Sequence, residues 1–67
     1  MRMREWLKEL RKKQGLVITE AAKLCGISAS YYEKIENGKR NVPVGTAKKI
    51  AEAFGFAWER FYESGGE

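Results

Sequence analysis

The three residues Gly26-Ile27-Ser28 constrain this chain more than any others, because they leave room only for a turn between two stretches of helical pattern. Before the turn, Ile18, Ala21, Ala22 and Cys25 recur at the spacing of one helix face, and the small residues among them permit close contact with a neighbour. After it, Ala29 to Glu36 reads as a helix of about two turns, opened by Ser28 as N-cap and closed at Asn37-Gly38, a pair that tolerates positive φ. Gly26 suits the sharp reversal between them because it lacks the Cβ that would oppose a left-handed backbone. The fold must therefore pack two short helices across a tight corner.

The rest of the chain continues the helical pattern. Met3, Leu7 and Leu10, with Trp6 beside them, predict a first helix that ends at Gly15. Lys39-Arg40-Asn41-Val42-Pro43 reads as a polar loop. Val44, Ala47, Ile50, Ala51 and Phe54 then give a fourth helix up to Gly55, with Gly45 weakening its first turn. A last amphipathic turn or two carries Trp58, Phe61 and Tyr62 and runs out in a frayed Ser64-Gly65-Gly66-Glu67. No strand pattern or repeat interrupts the series. The expectation is an all-α, compact five-helix domain occupying residues 1–67 as a single unit.

Composition narrows the function classes. With 67 residues there is room for one small core and no second domain, and a second subunit would be a common source of added stability. The chain has no histidine, no aspartate and one cysteine, Cys25. That leaves no recognisable nucleophile and base pair, almost no ligands for a metal, and no intrachain disulfide, so neither an enzyme nor a cofactor is expected. Cys25 reads as a small buried apolar residue rather than a redox sensor. No apolar run approaches the roughly 18 residues of a membrane helix. The net charge of +4 makes a polyanion a reasonable partner, and its distribution is uneven. Residues 1–13 carry six cations against two glutamates, whereas residues 55–67 carry one arginine against three glutamates.

Two short helices joined at a glycine and packed through small side chains are the outline of a helix-turn-helix. Within that outline the chain resembles the phage repressor and Cro type of helix-turn-helix transcriptional regulator over about residues 3–62. The resemblance is carried by Arg11, Gly15-Leu16, Ala22, Gly26-Ile27-Ser28, Ile35-Glu36-Asn37-Gly38-Lys39-Arg40, Ala47-Lys48-Lys49-Ile50-Ala51 and Phe54-Gly55. It implies a repressor-like domain whose helix from about residue 28 to 36 enters the major groove of double-stranded DNA. It implies a transcriptional regulator, and most simply a repressor acting by operator occupancy. It also implies a homodimer on a pseudo-palindromic operator and a cytoplasmic protein encoded by a bacterium or phage.

Residue by residue, the resemblance makes Ser28, Ala29, Ser30, Tyr31 and Lys34 the base-facing set, with Tyr32 and Ile35 turned inward. The ammonium of Lys34 could donate to guanine O6 and N7, Ser30 could bond several bases, and Ala29 could touch a thymine methyl. An exposed lysine serves solubility equally well, and Tyr31 could instead cover Ile27. Asn37, Lys39, Arg40 and Asn41 correspond to a phosphate clamp, with a solvated turn as the plainer alternative. Arg11 and Glu36 correspond to a structural ion pair. The family's polar cap and phosphate-binding glutamine at the start of its second helix are replaced here by Val17 and Ile18. Thr19 is the nearest substitute, as a phosphate contact or as the cap of a later-starting helix. Trp58, Phe61 and Tyr62 fall in the region through which related domains pair, though a stripe of aromatics at this spacing also suits a core. Trp6 and Leu24 could extend the core or meet a protein partner. The competing reading is a protein-interaction module on the same fold, such as an antitoxin or a coactivator.

Overall fold

A computed structural model describes residues 4–62. Among the described residues the chain forms four α-helices, α1 (Glu5–Lys13), α2 (Ile18–Cys25), α3 (Ala29–Glu36) and α4 (Val44–Phe54), then a 3₁₀ helix (Trp58–Tyr62), and no strand. The contribution expected of Met3 to the first helix, and the frayed end expected at 64–67, lie outside the described residues.

The sequence places charges well for α1, with Glu5 in its first turn and Arg11, Lys12 and Lys13 in its last, each sign facing the opposite end of the helix dipole. The start of α2 differs from the expectation for Thr19. Its N-cap is Val17, which has no side-chain acceptor; the Glu20 carboxylate instead reaches back to accept the Val17 N–H at 3.1 Å. Thr19 therefore does not cap the helix, and stands exposed in its first turn. At the other end Gly26 has φ +76°, and Ile27 N–H closes the helix onto the Ala22 carbonyl at 3.0 Å. A Cβ at Gly26 would meet nothing within 4 Å, so the backbone angle and not crowding requires glycine there.

In α3 the Ser28 hydroxyl oxygen accepts the Tyr31 N–H at 3.1 Å, which satisfies one of the helix's orphan donors. Gly38, at φ +77°, ends α3: its N–H and that of Lys39 fold back onto the carbonyls of Ile35 and Lys34. Asn37 keeps a right-handed backbone, so only the glycine of that pair takes positive φ. Val42 is buried and Pro43 is the N-cap residue of α4, whose Ala47, Ile50, Ala51 and Phe54 face inward.

These faces meet in one core. Leu7 from α1, Ala21, Ala22 and Cys25 from α2, Tyr32 and Ile35 from α3 and Ala47, Ile50 and Phe54 from α4 are buried together. The α2 helix packs on α3 and on α4, α1 packs on α3, and the 3₁₀ helix packs on α4. The alanines of α2 and α4 let these helices approach closely enough for Tyr32 to fill the centre, its ring edge-on to Phe54 at 6.3 Å. The fifth helix is a 3₁₀ turn rather than an α-helix. It ends at Tyr62, whose hydroxyl donates to the Val42 carbonyl.

Candidate nucleic-acid interface

The inward anchoring of α3 by Tyr32, Ile35 and Glu36 decides which of its residues remain outside. Ser28, Ser30 and Lys34 are exposed, and Ala29 and Tyr31 are half-buried against the core margin. The exposed side chains of α3 are thus two small hydroxyls, the Glu33 carboxylate and one long cation, with a half-buried tyrosine ring beside them. Beside it runs an open groove of about 460 Å³ lined by Tyr31, Lys39, Arg40, Asn41 and Pro43. The Arg40 guanidinium lies 5.7 Å from the centre of the Tyr31 ring, a cation over an aromatic face. Lys39, Arg40 and Asn41 are exposed, whereas Asn37 is half-buried and gives its backbone N–H to the Glu33 carbonyl. Thr19 is exposed at the start of α2.

The α3 helix is held in place by a buried polar network. Arg11 donates through Nε and Nη2 to the two Glu36 carboxylate oxygens at 2.9 and 3.0 Å, and through Nη1 to the Leu16 carbonyl at 2.8 Å. The Tyr32 hydroxyl donates to the same carboxylate at 2.8 Å. Arg11 and Glu36 are 8% and 3% exposed, so both charges are compensated by each other and not by water. The hydrogen bond to Glu36 raises the Arg11 pKa further above its ordinary value. Burial, and then the bond to Glu36, raises that of Tyr32. This hydroxyl is the feature that admits a tyrosine where an aliphatic side chain would do. Cys25 is buried, and desolvation pushes its thiol up to about 11, which keeps it in the unreactive thiol form.

The aromatic residues divide between two places. Trp6 packs edge-on against Phe56 at 5.2 Å and Phe61 at 5.1 Å, with the Arg60 guanidinium 4.7 Å above its ring. Trp6 therefore extends the core. Trp58 lies beside Tyr62 at 6.0 Å, beneath the Lys48 ammonium at 5.3 Å, and Tyr62 is exposed. Leu24 is 58% exposed, at the rim of a groove of about 330 Å³ that also includes Cys25, Gly26, Lys49, Glu52 and Ala53.

Sequence reasoning missed Arg4. It donates through Nη1 to the Ile35 carbonyl at 2.6 Å and its backbone N–H to the Glu36 carbonyl at 2.8 Å. In the sequence it is one cation among six near the N-terminus, and its partners are more than thirty positions away.

Residues 7–61 match the helix-turn-helix family. The chain is 46% identical over 61 residues to the uncharacterised HTH-type transcriptional regulator YqaF of Bacillus subtilis, covering 91% of this chain and 80% of that protein. It is 43% identical over 56 residues to the HTH-type transcriptional repressor RghR of the same organism, covering 82% of this chain but only 42% of RghR. Among solved structures, the restriction-modification controller protein C.AhdI of Aeromonas hydrophila superimposes with a TM-score of 0.74 at 34% identity, over 82% of this chain and 80% of that one.

Proposed function

The chain belongs to the helix-turn-helix family of regulators of the phage repressor and Cro type, and from that premise we propose that α3 enters the major groove of an operator and represses by occupancy. DNA-binding transcription regulation is the function of this family. The observation that carries the finer reading is the juxtaposition of α3's polar outer face with the basic groove of Lys39, Arg40 and Asn41. Ser28, Ser30 and Lys34, with Ala29 and the edge of Tyr31, form the proposed base-facing set. Thr19, Asn37, Lys39, Arg40 and Asn41 form the proposed phosphate-facing set, which fixes register without reading sequence.

The mechanism proposed requires no chemistry on the DNA. The protein competes for, or occupies, a stretch of duplex in the bacterial cytoplasm, and no helix of the described residues is long and apolar enough to cross a membrane. A two-fold dimer would place two copies of α3 about 34 Å apart along the duplex. Exposed Tyr62 and Val44, with Trp58 between Lys48 and Tyr62, are the proposed pairing surface, while Phe61 is committed to Trp6.

Exposure of Leu24 favours a second reading, a protein partner docked between α2 and α4. Selection of bound sites from a random duplex pool at physiological salt separates the two. The expected result is a palindromic consensus. Enrichment of no sequence would overturn operator binding and leave the protein-interaction reading.

A further inference from the structure

Resting on the DNA-binding reading above, we infer that Arg4 and Tyr62 are positioning residues that brace the loop of residues 37–43 from the two ends of the described chain. The loop carries Lys39, Arg40 and Asn41, and residues 39–43 lie in neither helix nor strand. Its start is closed by the Gly38 and Lys39 N–H groups on α3. Beyond that point two side chains from distant elements hold its backbone.

Arg4 stands before α1. Its backbone N–H bonds the Glu36 carbonyl in the last turn of α3, and its Nη1 joins the Gly38 N–H on the Ile35 carbonyl. The same Nη1 reaches the Arg40 carbonyl at 3.4 Å, and the guanidinium lies 5.6 Å from the centre of the Phe61 ring. A cation there also complements the negative end of the α3 dipole. Tyr62, at the end of the 3₁₀ helix, donates its hydroxyl to the Val42 carbonyl. The loop backbone is therefore bonded at Arg40 from one side and at Val42 from the other, on either side of Asn41. Neither Arg4 nor Tyr62 belongs to the proposed DNA-facing set; Tyr62 also lies in the proposed pairing surface, where Tyr62→Phe keeps its ring, and the Lys39 amide reports the loop separately from pairing. Their contribution is to hold the loop ordered before DNA arrives, so that less ordering entropy is lost on binding.

The test uses Arg4→Lys and Tyr62→Phe, which leave net charge unchanged, so that a change in salt dependence does not come from a deleted cation. Affinity for the selected duplex is measured over a range of salt at a temperature well below Tm, and amide exchange is measured in the free protein. Loss of one such hydrogen bond is expected to weaken DNA binding about threefold to tenfold in each variant. The slope of log affinity against log salt becomes shallower, and the Lys39 amide exchanges faster. If either variant lowers Tm but leaves affinity, slope and Lys39 exchange unchanged, that residue is merely structural and the inference is overturned for it. A wild-type protein that binds no duplex overturns the DNA reading and this inference together. Wild-type binding with unaltered variants overturns the inference alone.

Discussion

Replacing Glu36 with alanine removes an acceptor shared by three donors, Nε and Nη2 of Arg11 and the hydroxyl of Tyr32. The carboxylate is 3% exposed, so water cannot take its place without opening the contact between α1 and α3. Breaking one half of a buried ion pair costs about 3 to 5 kcal/mol, because the remaining charge stays desolvated. The stranded Tyr32 hydroxyl belongs to the same network, so its penalty does not simply add. At roughly 0.05 to 0.15 kcal/mol per residue, a chain of 67 residues has about 3 to 10 kcal/mol of stability in total. Glu36→Ala should therefore lose about a third of it at the least, and nearly all of it if the total lies near the lower figure. Urea denaturation followed by far-UV circular dichroism reads this directly. Tyr32→Phe should cost about 1 kcal/mol, since it removes one donor and leaves the pair intact. Combining Arg11→Met, Tyr32→Phe and Glu36→Leu should recover most of the loss by replacing the network with apolar contact. A Glu36→Ala protein within about 1 kcal/mol of wild type would show that the pair is not the buried support of α3.

Lys34→Ala removes the long donor of the α3 outer face; on the selected operator it should weaken binding by about 1 to 3 kcal/mol and relax preference at one base position, and unchanged affinity and preference would mean that α3 is not in the assigned register. Lys39→Ala and Arg40→Ala should each reduce the salt slope by about one unit while lowering affinity for all sequences alike; an unchanged slope in binding titrations would remove that residue from the phosphate-facing set. Stability should also fall in alkali. The unfolded Cys25 thiol ionises near its ordinary 9.0, whereas the folded one stays protonated to about 11. Its contribution is thus complete below pH 9 and is lost between the two values, by about 2 to 3 kcal/mol. Urea midpoints for Cys25→Ala should decline less over this range than those of wild type, and parallel declines would show that the thiol is not the titrating group.

The helices that pack through regular spacing were readable from the residues themselves. Val44, Ala47, Ile50, Ala51 and Phe54 mark one continuous face, and α4 begins and ends with that pattern. The corner at Gly26 was equally legible, since a positive-φ residue followed by an oxygen-bearing N-cap has few other uses. The start of α2 was less so. Its cap comes from Glu20, three residues inside the helix, and a search for an oxygen-bearing N-cap leads to Thr19 instead. The spacing of Trp58, Phe61 and Tyr62 fits either an α-helical or a 3₁₀ turn, and what distinguishes them is backbone bonding three residues back, as from the Arg60 N–H to the Ala57 carbonyl.

Contacts across long stretches of chain left the weakest trace. Whether Trp6 extends the core or meets a partner could not be read locally, because Phe56 and Phe61, on which it packs, lie fifty or more residues away. The role of Arg4 at the end of α3 gave no signal, since the bonds it makes there go to backbone carbonyls that any sequence would supply. The candidate site divides in the same way. The inward residues of α3 follow from the family resemblance, whereas the brace around its C-terminal loop depends on where α1 and the 3₁₀ helix come to rest.

The outer face of α3 is proposed to meet the bases, and amide chemical shifts of the free protein and of the protein saturated with its selected duplex report that contact. The largest changes are expected at Ser28 to Lys34 and at Lys39 to Asn41, with little change around Leu24, Lys49 and Glu52. Changes concentrated around Leu24 and Glu52, with residues 28–34 unmoved, would contradict it.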